Sequence, residues 1–400
     1  MTTRPPDAPH AAATPMAATA LALVLMAGVV ACSSSKKSAA DNKSGSSGDP
    51  HTATVTITAA DGCVLDRTEF AAGGLTVNIS NKDATAVSEV EVLSGARILG
   101  EKANLPPGFT GSFAVTVAAG TYTLYCPGAA KKNTTLTVTG AAAKNTDSTL
   151  AALLKTATDG YATYVTTQVD TLLESATSLN KALHGTELAA AQDAYKKARP
   201  YYEKIEPVAE SFTVGKDSLD ADIDAREGDV QAAKWTGFHR IEKALFADKT
   251  LAGLGPFGDG LVVNVAKLQT LTKGLKYQPT ELANGAQGLL DEVAASKITG
   301  EEERYSHIDL LDVANNVEGS EQAFAQLQPA LSKIDAALTS NIAARFAALD
   351  KLVDSYRSTS DASGYELYTE LDTADKKSLA AAVKAVQEPL SKVASKVANA

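Results

Sequence analysis

Two rhythms of hydrophobic and polar positions divide the chain. Between 51 and 140 the period is two, as in a pleated strand. Thr54-Val55-Thr56-Ile57-Thr58 alternates, as do Leu75-Thr76-Val77-Asn78-Ile79, Val87 to Val92, Phe113 to Val117, Tyr122 to Tyr125 and Leu136-Thr137-Val138. Turn residues part the runs: Ala72-Gly73-Gly74, Ser80-Asn81-Lys82-Asp83, Pro106-Pro107-Gly108 and Ala119-Gly120. Short Thr- and Val-rich strands at even spacing predict a small β-sandwich. From 148 the period becomes helical. Predicted helices cover 148–183, 187–211, 227–247, 260–276, 280–297, 306–336, 339–357 and 375–398, with Pro200, Pro207, Pro256, Pro279 and Pro389 ending or bending them. Such helices on short connections predict one or two antiparallel bundles. The expected fold class is therefore multidomain, all-β over 51–140 and all-α over 148–400, with 141–147 as the linker.

The N-terminal pattern is different again. A weakly basic start with Arg4 precedes an apolar stretch from Ala17 to Ala31, which ends in Val29-Val30-Ala31-Cys32. That stretch is too short for a membrane span, which needs roughly 20 apolar residues. It reads as a lipoprotein signal over 1–31, with lipid on Cys32 and a Gly/Ser/Asp-rich tether over 32–50. The expected location is extracytoplasmic, in the periplasm or on the cell surface, anchored to the cell membrane. Cleavage removes Met1, Met16 and Met26, which are all the methionines, together with one positive and one negative charge, so the net charge stays at −10. An acidic surface without a Lys/Arg run argues against nucleic-acid binding and suits cations. Cys63 and Cys126 are left as an isolated pair, open to a disulfide in an oxidising compartment.

The helical part carries the sharpest chemistry. At ~100° per residue, Trp235, Phe238, His239, Glu242, Leu245 and Phe246 share an arc of roughly 120°, with Arg240 and Lys243 outside it. An imidazole and a carboxylate thus lie inside an apolar stripe, and burying the carboxylate alone costs several kcal/mol. Either a metal ion held with ligands from facing helices compensates it, or a His–Glu ion pair in a buried network does. Glu203, Glu206 and Glu210 follow one another on a helical face just upstream, and Asp220, Asp222 and Asp224 occupy a short connection. One nitrogen with several oxygens suits Fe, Mn or Zn, whereas Cu(I) prefers sulfur. Ser306 with Asp309 reads as a helix cap, and His307 as a packed side chain.

Together, Tyr202-Glu203-Lys204-Ile205-Glu206-Pro207, Asp222-Ile223-Asp224-Ala225-Arg226, Gly237-Phe238-His239-Arg240-Ile241-Glu242 and Arg304-Tyr305-Ser306-His307 resemble the imelysin-like domain of EfeO-type iron-uptake proteins. The resemblance covers nearly all of 148–400. It implies a double four-helix bundle with a metal site around Gly237, His239 and Glu242, and acidic partners at Glu203, Glu206 and one of the aspartates at 220–224, with Asp220 favoured. It also implies that 51–140 is a cupredoxin-like domain. A blue-copper centre is excluded there on ligand count, because no histidine lies between His51 and His184 and no methionine is left. The resemblance implies a second metal site from Cys63, Glu89, Glu91, Glu101 and Cys126, beside the Asn104-Leu105-Pro106-Pro107-Gly108 turn. The acid expected next to that turn is Ala103, and a Cys63–Cys126 disulfide would withdraw both thiolates.

The expected function is a membrane-anchored iron-binding component of an iron-uptake system rather than an enzyme. It would capture Fe2+ or Fe3+, with zinc or copper as alternative ions, and pass iron to a membrane permease. A Dyp-type haem peroxidase is the further partner that the resemblance implies. The alternative is a zinc-dependent imelysin-type peptidase, but a zincin needs His-Glu-x-x-His and this motif has one histidine.

Overall fold

In the computed structural model, residues 49–142, 147–214 and 217–400 are described. The expected leader, Cys32, most of the tether and part of the linker lie outside them. The strands are β1 (Thr52–Thr58), β2 (Gly62–Leu65), β3 (Glu69–Ala71), β4 (Gly73–Asn81), β5 (Val90–Ser94), β6 (Arg97–Lys102), β7 (Thr110–Val117), β8 (Gly120–Tyr125) and β9 (Asn133–Thr139). They form two sheets, in the orders β2-β1-β4-β7 and β3-β9-β8-β5-β6. The β1–β4 and β3–β9 pairs are parallel and the rest antiparallel. Alternation works as expected: Ala53, Val55 and Ile57 of β1 and Leu75, Val77 and Ile79 of β4 point into one core with Leu136 and Val138 of β9. Cys63 on β2 is disulfide-bonded to Cys126 after β8, which ties one sheet to the other.

The helices are α1 (Ser148–Leu183), α2 (Leu188–Glu203), α3 (Glu206–Ala209), α4 (Leu219–Ile223), α5 (Gly237–Glu242), α6 (Gly255–Thr272), α7 (Pro279–Ala295), α8 (Asp309–Ile334), α9 (Ala336–Asp354), α10 (Thr373–Leu390) and α11 (Val393–Ala398). Helix α1 packs on α2, α6 and α8, while α7, α8, α9 and α10 form a second group, so α8 serves both bundles. Several expected boundaries move. The 187–211 helix breaks between α2 and α3, where Pro207 sits in the first turn of α3. The 227–247 helix begins only at Gly237 and passes through a π-helical turn, Lys243–Ala247. The 306–336 helix, α8, starts at Asp309, not Ser306; Ser306 bonds Glu303, and Asp309 accepts from the Glu303 amide at 3.1 Å, so neither caps it.

The sandwich docks on the helices through α7 and α11. Asn284 donates to the Ala114 carbonyl at 2.8 Å, Arg97 pairs with Glu281 at 2.8 Å, and Lys102 pairs with Asp291. Ala114 belongs to the helical core rather than to the sandwich core.

Candidate metal centre

Gly237 explains how the His239 motif is placed. Its φ is +82°, and a Cβ there would collide with the carbonyl oxygen of Ile223. Glycine alone lets α5 start against the end of α4. The Trp235 indole donates to the Ala225 carbonyl at 2.7 Å and Thr236 to that of Asp222 at 2.9 Å, which fixes the same approach. Asp224, the residue after α4, is thereby set opposite His239.

His239 is 2% exposed. Its Nδ1 lies 3.4 Å from Glu242 Oε2. Glu242 Oε1 accepts the amides of Tyr305 at 2.7 Å and Ser306 at 2.8 Å, so the backbone fixes Glu242 and Glu242 fixes the ring. The other nitrogen, Nε2, is buried without a hydrogen bond. It faces Asp224 Oδ1 at 3.6 Å and Glu302 Oε1 at 3.5 Å. Those gaps are too wide for good hydrogen bonds. They are near the ~3.0–3.4 Å between neighbouring ligand atoms of an ion with bonds of about 2.1 Å. A carboxylate behind the imidazole with an open nitrogen in front is also how metal-ligating histidines are supported. Asp224, His239 and Glu302 therefore fit a cation.

Around this triad lies a shell of buried charge. Arg199, 0% exposed, bonds Glu203 and Asp224 and reaches Asp312 at 2.9 Å and Glu303 at 3.1 Å. Lys297, 1% exposed, reaches Glu206 at 2.7 Å, Glu302 at 3.1 Å and Glu203 at 3.3 Å. Burial works against ionisation of Asp224, but Arg199 and then His239 outweigh it and lower its pKa. Burial also opposes ionisation of Glu302, yet Lys297 and His239 hold it well below the usual range. Burial raises Glu206, with Glu203 adding to it, and raises Glu303, with Glu242 adding to it. Burial would discharge His239, but the Asp224 charge, and then its contacts with Asp224, Glu242 and Glu302, raise its pKa well above the ordinary value. The two carboxylates that face Nε2 are thus the ones kept ionised, and a proton on the ring is what a metal ion must displace.

A second acidic cluster sits on the sandwich. Glu91 on β5 is paired in register with Glu101 on β6, and Glu89 immediately precedes β5. The three offer oxygens within 4.8 Å of one another. Glu101 and Glu91 are each pushed up to about 8, by burial first and then by neighbouring carboxylates, Glu89 first among them. Glu89 and Glu101 line a cavity of about 430 Å³ between sandwich and helices, whose far wall includes Glu206, Glu210, Asp224 and Glu302.

The imelysin family matches residues 157–393, and the cupredoxin-like domain matches residues 22–138. The chain is 36% identical to the iron uptake system component EfeO of Yersinia pseudotuberculosis over 320 residues, covering 79% of this chain and 82% of that protein. It is 35% identical to EfeO of Escherichia coli O157:H7 over 325 residues, covering 80% and 85%. The chain belongs to the EfeO family. The fold is the one expected of that family, a cupredoxin-like sandwich followed by an imelysin-like helical domain. No helix among the described residues is long and apolar enough to cross a membrane.

Against the expected ligands of an EfeO-type site, the structure sorts the residues as follows. His239 is central. Glu242 stands behind it, and Glu203 and Glu206 belong to an adjoining group that includes Asp224 and Glu302. Asp220 is displaced as a candidate: its carboxylate accepts from the Tyr202 hydroxyl, and Asp224 takes the place facing His239. Cys63 and Cys126 are withdrawn from the second cluster by their disulfide, which leaves Glu89, Glu91 and Glu101. Glu302, Lys297 and Arg199 were missed. Arg199 was legible, one turn before Glu203 on the face that holds Tyr195, Ala198 and Tyr202. Glu302 was not, because Glu301-Glu302-Glu303 has the pattern of a solvated run.

Proposed function

We propose that this chain is the extracytoplasmic, lipid-anchored iron-binding member of an iron-uptake system. It takes iron as cargo between Asp224, His239 and Glu302, with Glu242 orienting the imidazole, and gives it up to a membrane permease. A haem peroxidase of the same system is the second partner. The cluster at Glu89, Glu91 and Glu101 is a second place where a cation can rest. The observation that carries the reading is the buried, unbonded Nε2 of His239 aimed between two carboxylates held ionised. The relatives' shared description as iron uptake components favours iron among the ions that one nitrogen and carboxylate oxygens can hold.

Elemental analysis and anaerobic Fe2+ titration of the protein test it. Wild type should bind a saturable equivalent, and His239→Ala, Asp224→Asn and Glu302→Gln should each weaken it by more than about 100-fold, the upper end of what loss of a supporting residue costs. Unchanged affinity in His239→Ala would defeat the assignment. The zinc-peptidase alternative has no observation in its favour. His184 pairs with Asp259 and is well exposed, so it brings no second nitrogen to the centre.

A further inference from the structure

Lys297 occupies a place that is chemically a cation position. Its ammonium is held by Glu203 Oε2 at 3.3 Å, by both oxygens of Glu206 at 2.7 Å and by Glu302 Oε1 at 3.1 Å. Glu203, Glu206, Asp224 and Glu302 bring one oxygen each within 4.8 Å of the others. This group shares Asp224 and Glu302 with the His239 triad. Glu302 Oε1 faces both positions, 3.1 Å from the Lys297 ammonium and 3.5 Å from His239 Nε2, and two ions bridged by that carboxylate would sit in the arrangement of two-metal centres, about 3.5–4 Å apart.

The two resident cations differ in kind. Arg199 is a planar fork that spreads over five acids, Glu302 among them at 3.5 Å, and cannot lose its charge. Lys297 is a single point charge at the end of a flexible stem, on a short turn, Lys297–Thr299, just after α7. An all-oxygen site suits a hard divalent cation.

We propose that the Lys297 ammonium fills the second cation position of a carboxylate-bridged two-ion centre, and so makes the site take one ion instead of two. Lys297 also competes with the cargo for Glu302, which favours release. The proposal rests on the metal-centre reading above.

The test is Mn2+ titration of the full chain with electron paramagnetic resonance, comparing wild type with Lys297→Met. Ions held by Glu89, Glu91 and Glu101 cancel in the difference. Lys297→Met should bind one more equivalent than wild type and show the spectrum of a coupled Mn2+ pair. Lys297→Met/Glu206→Gln should return to the wild-type number. If Lys297→Met loses its fold without ions, as judged by circular dichroism, saturating Mn2+ should restore it. A Lys297→Met chain that gains no equivalent, or that stays unfolded in Mn2+, overturns the proposal whatever wild type does. A wild type that takes no ion, beside a Lys297→Met chain that takes one and loses it with Glu206→Gln, would sink the His239 reading and leave the Lys297 position standing.

Discussion

Two acidic clusters belong to the walls of one cavity, and they manage their charge by opposite means. The helical centre carries its own cations: Arg199 and Lys297 hold Asp224 and Glu302 ionised beside His239. Among the described residues, no Arg or Lys forms an ion pair with Glu89, Glu91 or Glu101. Glu91 and Glu101 are kept near 8 by burial first and then by the neighbouring Glu89 carboxylate. A preorganised site meets an arriving cation with its negative charge already in place. A proton-filled one must first give up its protons, so its affinity depends on pH.

The largest effect expected is on stability, and it would break the comparison if absent. Arg199→Met leaves Glu203, Asp224, Glu303 and Asp312 buried without their common partner. Removing one member of a buried ionic network costs about 3–5 kcal/mol. Urea denaturation should show that loss, and saturating Fe2+ should recover part of it by binding the folded state. A loss under about 1 kcal/mol would mean that the shell is better solvated than its burial implies.

The second prediction concerns the sandwich cluster and follows from the sign of its shifts. Folded Glu91 and Glu101 titrate near 8, whereas unfolded glutamate titrates near 4.3. Between those values the folded chain holds protons that the unfolded chain has lost. Metal-free stability should therefore fall as pH rises from about 4.5 to 8, and then level off. Glu91→Gln/Glu101→Gln removes that slope. The stability difference between this variant and wild type, followed by denaturation against pH, measures it. A difference that is flat across the range would show that the cluster is already paired with something.

How much of this was legible in the residues follows the same division. Regular elements were: α1 runs from Ser148 to Leu183 as its apolar period predicts, and β1 and β4 alternate as expected. His239 and Glu242 were found because a helix imposes a spacing that a wheel can read. Asp224 was legible only as one of three candidates and Glu302 not at all, because Asp224 lies just past α4 and Glu302 in the turns between α7 and α8, and only the tertiary fold brings them within 4 Å of His239. Trp235 misled the wheel by extending the apolar stripe past Gly237, where the backbone turns left-handed and the helix begins. The aspartates at 220–224 show the limit most directly. Asp220 and Asp224 are one helical turn apart, yet Asp220 meets the Tyr202 hydroxyl and Asp224 meets the imidazole, beside the close approach that Gly237 allows.

The smallest effect is the one that separates a ligand from a residue that positions a ligand. Glu242 Oε1 is committed to two backbone amides, and Oε2 meets Nδ1 of His239, on the far side of the ring from Asp224 and Glu302. Glu242→Gln keeps the shape and removes the charge. If Glu242 only orients the ring, iron affinity at neutral pH should fall by about 10-fold, the lower range for supporting residues. The same substitution withdraws a bond that raises the His239 pKa, so the proton leaves the ring more readily. The pH at which binding is half complete should then shift to lower values, although the limiting affinity is weaker. A carboxylate ligand would behave otherwise: losing it would weaken binding by 100-fold or more at every pH and leave no such acid shift. Titrations of Glu242→Gln at several pH values, beside Asp224→Asn, distinguish the two roles.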